Sequence, residues 1–384
     1  MPCLLVNGVR CALLRDDRPA DGRLRRMNET DILTRRLFGQ RLAGTPFESP
    51  EDVVRWLGCV QSQEALLSRW SLGQRTTGYT DADIAAAFDE GRFLRTHALR
   101  PTWHYVMPED ILWIQQATAH RVHALNAYVA HKYEVDDATV TSSLHLIATA
   151  LEGGRHLTRT ELGAVLEEAG IVARSIRLAY IVMHAELEGL ICSGAVKGKQ
   201  HTYALLAERA PQARRLDDDD EALARLTLRY FTGHGPATER DFAWWSSLPL
   251  AEIRRGLEMV RADLLREELD GQTYWYSVEA QPPGPLPLRA WILQDFDEAF
   301  WFRSLAFPDM EWTREEGTWN ETLIRPILIG GRRAGTWRRK IERKQLVFEA
   351  QLFTTLNADE QVAFDAEVAR YGAYMGLPVR VDFI

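Results

Sequence analysis

The 384 residues carry a formal net charge of −8, with 46% apolar and 26% charged residues. That is the composition of a folded protein facing water, and its length calls for roughly two to four compact units. No apolar run reaches the roughly 18 to 20 residues of a membrane span. The excess of acid excludes a uniformly basic nucleic-acid binder, although a local basic face is compatible with it. The N-terminal MPCLLVNGVRCALL lacks the basic leading region of a secretory signal, so cytoplasmic residence is the default. Cys3, Cys11, Cys59 and Cys192 form no Cys-x-x-Cys pair and no cluster with histidine, which argues against zinc and disulfides.

In chain order, residues 1–27 read as a poorly ordered polar extension ending at Met27, a conceivable later start. Asn28 or Thr30 caps a first helix with Leu33, Leu37, Phe38 and Leu42 on one face. Ser49, Pro50, Glu51 and Asp52 open a second, with Val53, Leu57 and Val60 aligned. Gln61-Ser62-Gln63 then falls at or just past its end. Two neutral hydrogen-bonding side chains in an apolar setting are hard to justify as packing, because each buried amide needs several partners. The alternative is a solvated helix edge or turn. Thr80 and Asp83 start a third helix that stops at Gly91, and RFLRTHALRPTWHYV reads as two strands parted by Pro101. A long helix follows from Pro108 to about Ala130.

The order helix, helix, helix, hairpin returns twice. Residues 133–212 hold Leu144, Ile147 and Leu151, the capping box Thr158 and Glu161, a helix led by Ser175, and a hairpin around Lys197-Gly198-Lys199. Residues 217–282 hold a helix over Glu221 to Phe231, the Thr238 and Asp241 cap, a helix started by Pro249, and a hairpin turning at Asp270-Gly271. With residues 28–132 this predicts three tandem winged helix-turn-helix modules, at a period of about 80 to 100 residues. Such units place a helix in a DNA groove, and they also serve as protein-interaction modules. The Pro-rich QPPGPLPLR leads into residues 283–384, whose short β-like runs, Gly330-Gly331 turn and terminal helix over about Asp359 to Gly376 predict a small barrel or meander. The fold class is α+β.

Arg332, Arg333, Arg338, Arg339, Lys340, Arg343 and Lys344 gather against one acid, Glu342, and are the strongest phosphate-contacting candidate, with Lys197 and Lys199 on the earlier hairpin. Edge-guarding charges on a solvated strand are the alternative. Trp103, Trp244, Trp245, Trp319 and Trp337 read mostly as core, with stacking on a base as the functional option. No Gly-rich phosphate loop, metal-ligand cluster or nucleophile elbow stands out, so no cofactor or metal is expected.

LGCVQSQEALLSRWSLGQRT, RTHALRPTWHYVMPED, FDEAFWFRS, PILIGGRRAGTWRR and LVFEAQLF resemble, in that order, the AlkZ/YcaQ family of winged-helix DNA glycosylases, from about Met27 to the C-terminus. The resemblance implies three winged helices and a C-terminal β-barrel in a C-shaped body around duplex DNA. It also implies catalysis by a Gln-x-Gln or Gln-x-Asp signature. This chain has the Gln-Gln form, with Gln61 and Gln63, similar to the branch that protects antibiotic producers; Pro101 and Ser62 depart from the residues common in relatives. The implied function is a monofunctional, monomeric glycosylase that acts on double-stranded DNA and leaves abasic sites. Its substrates would be bulky or cationic alkylated purines of 7-alkylguanine type, including crosslinks or antibiotic adducts. His104 on the first hairpin is either structural or site-lining. Asp297, placed by resemblance at the start of the C-terminal segment, is read as a salt-bridge or turn residue that could line the site. A non-catalytic DNA-binding or regulatory protein is the other reading of the same modules.

Overall fold

The computed structural model describes residues 27–278, 284–300, 302 and 325–384. Residues 1–26 of the polar extension expected over 1–27, the first three residues of the Pro-rich linker and Trp319 lie outside them. Helix α1 (Glu29–Gly39) opens with a capping box between Asn28 and Asp31, and α2 (Pro50–Leu57) with Ser49 as cap and Pro50 in the first turn. Gly58 ends α2 at φ 79°, a left-handed conformation that costs glycine little. The chain therefore leaves α2 three residues before the glutamines, and Gln61 lies in strand β1 (Val60–Gln61), not at a helix end. Helices α3 (Ala65–Gly73) and α4 (Asp81–Asp89) follow, the latter with the expected Thr80 and Asp83 box. Strands β2 (Leu94–Ala98) and β3 (Thr102–Val106) complete a sheet of order β1-β3-β2, and α5 (Ile111–Lys132) runs on from it.

The next stretch contains α6 (Asp137–Leu151), β4 (Leu157–Thr158), α7 (Arg159–Glu168), α8 (Ser175–Leu187), β5 (Ile191–Ser193), β6 (Thr202–Leu205) and the short α9 (Leu206–Arg209), with sheet order β4-β6-β5. Then come α10 (Asp219–His234), α11 (Glu239–Ser246), α12 (Leu250–Val260) and the hairpin of β7 (Leu265–Leu269) with β8 (Gln272–Tyr276). The capping boxes at Thr158 and Thr238 and the turn at Asp270-Gly271 stand where the residues predict them.

The expectation for the C-terminal region is a small barrel or meander, and among the described residues its strands do not close into a barrel. Strands β9 (Ala290–Ile292), β10 (Pro326–Ile329), β11 (Arg332–Glu342), β12 (Gln345–Leu352) and β13 (Val379–Phe383) form an open sheet of order β13-β12-β11-β10-β9. The physical reason is the last connection: α13 (Ala358–Met375) crosses over one face and returns the chain as β13, parallel to β12. A parallel strand brought back by a helix extends the sheet and covers it, so closure is unnecessary. Trp337, Phe348, Phe364 and Tyr371 pack between the sheet and α13.

The cores are shared unequally. Val53, Leu57, Trp70, Ile84 and Tyr105 form one buried cluster with Ile292, Trp337, Phe348 and Tyr374, which welds the first region to the C-terminal sheet. Leu94, Ile111 and Trp113 form another with Tyr230, Phe242, Trp245 and Trp275. Residues of α6, α7, α8, β5 and β6 have a cluster of their own around Ile147, Leu162, Ile181 and Tyr203. The first region is thus held between the third and the last, and Gln61 lies where all three meet.

Candidate active site

Strand β1 is two residues long because its neighbours impose its register. Gln61 stands opposite His104 and Val60 opposite Tyr105, and the Ser62 amide donates to the Trp103 carbonyl at 2.8 Å, carrying the ladder one residue further. Residues two apart on an extended chain face the same side. Ser62 is fully buried, its carbonyl accepting from Arg95 Nε at 3.1 Å, whereas Gln63 is exposed where the chain turns into α3. Gln61 is 2% exposed. The pair is therefore split, with one amide set into the protein and the other open to solvent.

Gln61 is fixed from both ends. Arg100 Nη2 donates to Gln61 Oε1 at 3.3 Å and also to His104 Nε2 at 3.3 Å. His104 Nδ1 donates to the Thr102 carbonyl at 3.0 Å; a carbonyl only accepts, so the ring proton sits on Nδ1 and Nε2 is a bare lone pair for Arg100. Burial, then the neighbouring Arg100 charge, push the His104 pKa well below its ordinary value, so the ring is neutral. Arg100 reaches this position from a tight β2–β3 turn in which Leu99, buried and not glycine, adopts φ 60°. Such a conformation costs on the order of 1–2 kcal/mol, and strain of this kind collects at functional sites. Arg100 also donates to the Trp245 carbonyl of α11. Burial pulls its guanidinium down to about 10, against the field of Glu298, which leaves it cationic at neutral pH.

Behind Gln61 lies a residue that its sequence gave no reason to single out. Glu298, fully buried in a short 3-10 turn, accepts the Gln61 backbone N–H at 2.7 Å on one oxygen. Its other oxygen accepts Trp245 Nε1–H at 2.8 Å and His234 Nε2–H at 3.2 Å. The Gln40 amide donates to the Glu298 carbonyl at 3.0 Å. The C-terminal region thus grips the strand that carries Gln61. The signal was the third acid of QDFDEAF, and nothing local distinguishes it from the two before it.

Asp297 does not face the glutamines. It is fully buried and takes Arg75 in two bonds, of 2.7 and 2.9 Å, with Ser71 Oγ at 2.6 Å and Gln74 Nε2 at 2.9 Å. Burial raises its pKa, but the Arg75 charge and these hydrogen bonds outweigh that and leave it below the ordinary value. Asp297 thus forms a buried ion pair with Arg75.

The basic candidates are scattered among partners. Lys197 Nζ pairs with Glu161 at 2.5 Å beside the left-handed Gly198, and Lys199 is exposed on the same turn. Arg332 pairs with Glu360 at 2.5 Å, and Arg333 lies 4.9 Å from the centre of the Phe353 ring. Arg338 is exposed, but Arg339 on the opposite pleat turns onto α13, donating to Tyr371 Oη at 2.6 Å. The β11–β12 turn, Arg343-Lys344, has both residues at positive φ, 45° and 74°, presenting two cations at the tip of the hairpin. Trp245 and Trp337 are fully buried, whereas Trp103 and Trp244 are half-buried.

The family described as "DNA glycosylase AlkZ-like" matches residues 54–374. Among solved structures, the Streptomyces sahachiroi DNA glycosylase AlkZ is similar with a TM-score of 0.75 at 20% identity, over 93% of this chain and 100% of that one. No curated protein matches the sequence. The family match spans both the Gln61 strand and the C-terminal segment that holds it, and the chain belongs to the AlkZ-like DNA glycosylase family.

Proposed function

We propose that this DNA glycosylase hydrolyses the N-glycosidic bond of cationic or bulky alkylated purines of 7-alkylguanine type in duplex DNA, with Gln61 and Gln63 holding the attacking water. The observation that carries the reading is the contrast in protonation chemistry. Glu298, the acid that touches the strand, is fully buried and committed to hydrogen bonds, while the member of the pair open to solvent is the neutral amide of Gln63. A purine alkylated on its ring 7-nitrogen already carries positive charge and leaves without an acid. The protein has then to place a water opposite the departing base and hold it as oxocarbenium character grows. An amide orients water but is no efficient base near neutral pH. Arg100 decides which end of the Gln61 amide is the carbonyl; the second lone pair of Oε1 and the Nε2 donors remain for water and sugar.

The recurring helix and hairpin order supports three winged-helix units at 28–132, 133–212 and 217–282, followed by a C-terminal unit at 283–384. Lys197, Lys199, Arg332, Arg333, Arg338 and Arg339 would supply phosphate contacts, with Arg343 and Lys344 at the hairpin tip. Arg339 is the weakest of these, being turned onto α13. The protein would act as a cytoplasmic monomer, and the Gln-Gln form fits self-resistance to an alkylating antibiotic.

The test is incubation with a duplex carrying one 7-methylguanine, followed by alkali. Strand breaks at the modified base are expected; intact DNA with a gel shift contradicts the reading. Charge reversal at Arg332, Arg333 and Arg338 should weaken duplex binding and flatten its salt dependence by about one unit of slope per lost phosphate contact.

A further inference from the structure

The seam between α5 and α8 holds a side-chain cluster that base release does not use. His184 and Glu188, four residues apart at the end of α8, share one helix face, and His123 of α5 meets them from the other side. His123 Nε2 lies 3.0 Å from Glu188 Oε1, and His184 Nε2 lies 3.7 Å from the same oxygen. The two imidazole centroids are 4.6 Å apart, inclined at 50°, and one ligating atom from each residue falls within 4.8 Å of the other two.

A tetrahedral ion with bonds of about 2.0–2.2 Å keeps its ligand atoms roughly 3.4 Å apart. Two of the separations bracket that span, and rotation of a half-exposed imidazole closes the third. The backbone positions are set from beneath: Val122, Met183 and Leu187 form a buried cluster, and Asn126 Nδ2 donates to Met183 Sδ at 3.0 Å. Two imidazoles and one carboxylate suit zinc-type ions, whereas Mg2+ and Ca2+ prefer all-oxygen sites.

We propose that His123, His184 and Glu188 form a three-ligand site for a divalent transition-metal ion of the zinc class, with solvent completing the coordination, and that the ion staples α8 to α5. In its absence the His123 Nε2–H fills the gap by donating to Glu188. The sequence, from which no metal is expected, shows only the His184-x-x-x-Glu188 half of the pattern, because His123 stands 61 positions before His184.

The experiment is calorimetric titration of the chelator-stripped full chain with ZnCl2, repeated with Co2+ and followed by visible absorption. One ion per chain is expected, with affinity falling about tenfold or more in His123→Ala and in His184→Ala, as loss of a direct ligand demands. Zinc should also raise the melting temperature of the wild type and not of the double variant. Both imidazoles sit at the surface, so the variants should keep the wild-type circular dichroism spectrum and release 7-methylguanine at the wild-type rate. Absence of saturable one-to-one binding, or equal binding by the folded double variant, overturns the proposal.

Discussion

Asp297 and Glu298 are consecutive acids, both fully buried, and they are held in opposite ways. Asp297 faces a guanidinium that answers its charge in two places, so its burial is compensated. Glu298 has a backbone amide, an indole and an imidazole, and among the described residues no Arg or Lys ion pair. The cationic Arg100 answers Glu298 only through the field, without an ion pair. The difference teaches where to look for function: the acid paired directly with Arg75 fastens the C-terminal region to α3, and the one held by neutral donors touches the strand of Gln61. If Gln61 holds the attacking water as proposed, Glu298 is a positioning residue, since it reaches Gln61 through the backbone.

The comparison can be broken most forcefully at Arg75. Arg75→Ala strands the Asp297 charge in the interior and should cost about 3–5 kcal/mol of unfolding free energy in urea titrations. A loss under about 1 kcal/mol would show that the pair is not the fastening described. Glu298→Gln should behave differently, lowering single-turnover base release about 10- to 100-fold, equivalent to about 1.4–2.7 kcal/mol of barrier, with KM nearly unchanged. If it instead unfolds the protein as Arg75→Ala does and spares the rate, the two acids have one role and the distinction falls.

A smaller effect concerns pH. The folded state holds His104 neutral well below its ordinary pKa, while the unfolded chain takes up a proton near 6.5. Stability is therefore lost as pH falls below about 6.5, at up to roughly 1.4 kcal/mol per unit for this group. His104→Gln should flatten that slope in urea titrations between pH 6.5 and 5. An unchanged slope would mean that His104 is already protonated in the folded protein.

Legibility in the sequence followed the range of the forces involved. Helix starts were readable because capping is local: the boxes at Asn28, Thr80, Thr158 and Thr238 are each set by residues three apart. So were the turns at Asp270-Gly271 and Gly330-Gly331. The open sheet was not, because VRVDF at the end of the chain gains its strand character from a parallel partner more than thirty positions earlier. Gln61 and Gln63 could be singled out by residue type. Their unequal burial could not, since it depends on β3 and on Glu298, 237 positions away. Arg100 was passed over for the same reason: only the folded β2–β3 turn carries its guanidinium to Gln61 and His104.

The exposed member of the pair should show the smallest structural effect. Gln63→Ala is expected to change stability by less than about 0.5 kcal/mol, while lowering base release measurably. The most direct test of the central claim joins both glutamines: release of 7-methylguanine from a duplex by Gln61→Ala/Gln63→Ala, scored by alkali cleavage beside a gel shift on the same DNA. The account predicts a loss of at least about a hundredfold in rate, with duplex binding retained. Base release at the wild-type rate by the folded double variant would contradict it.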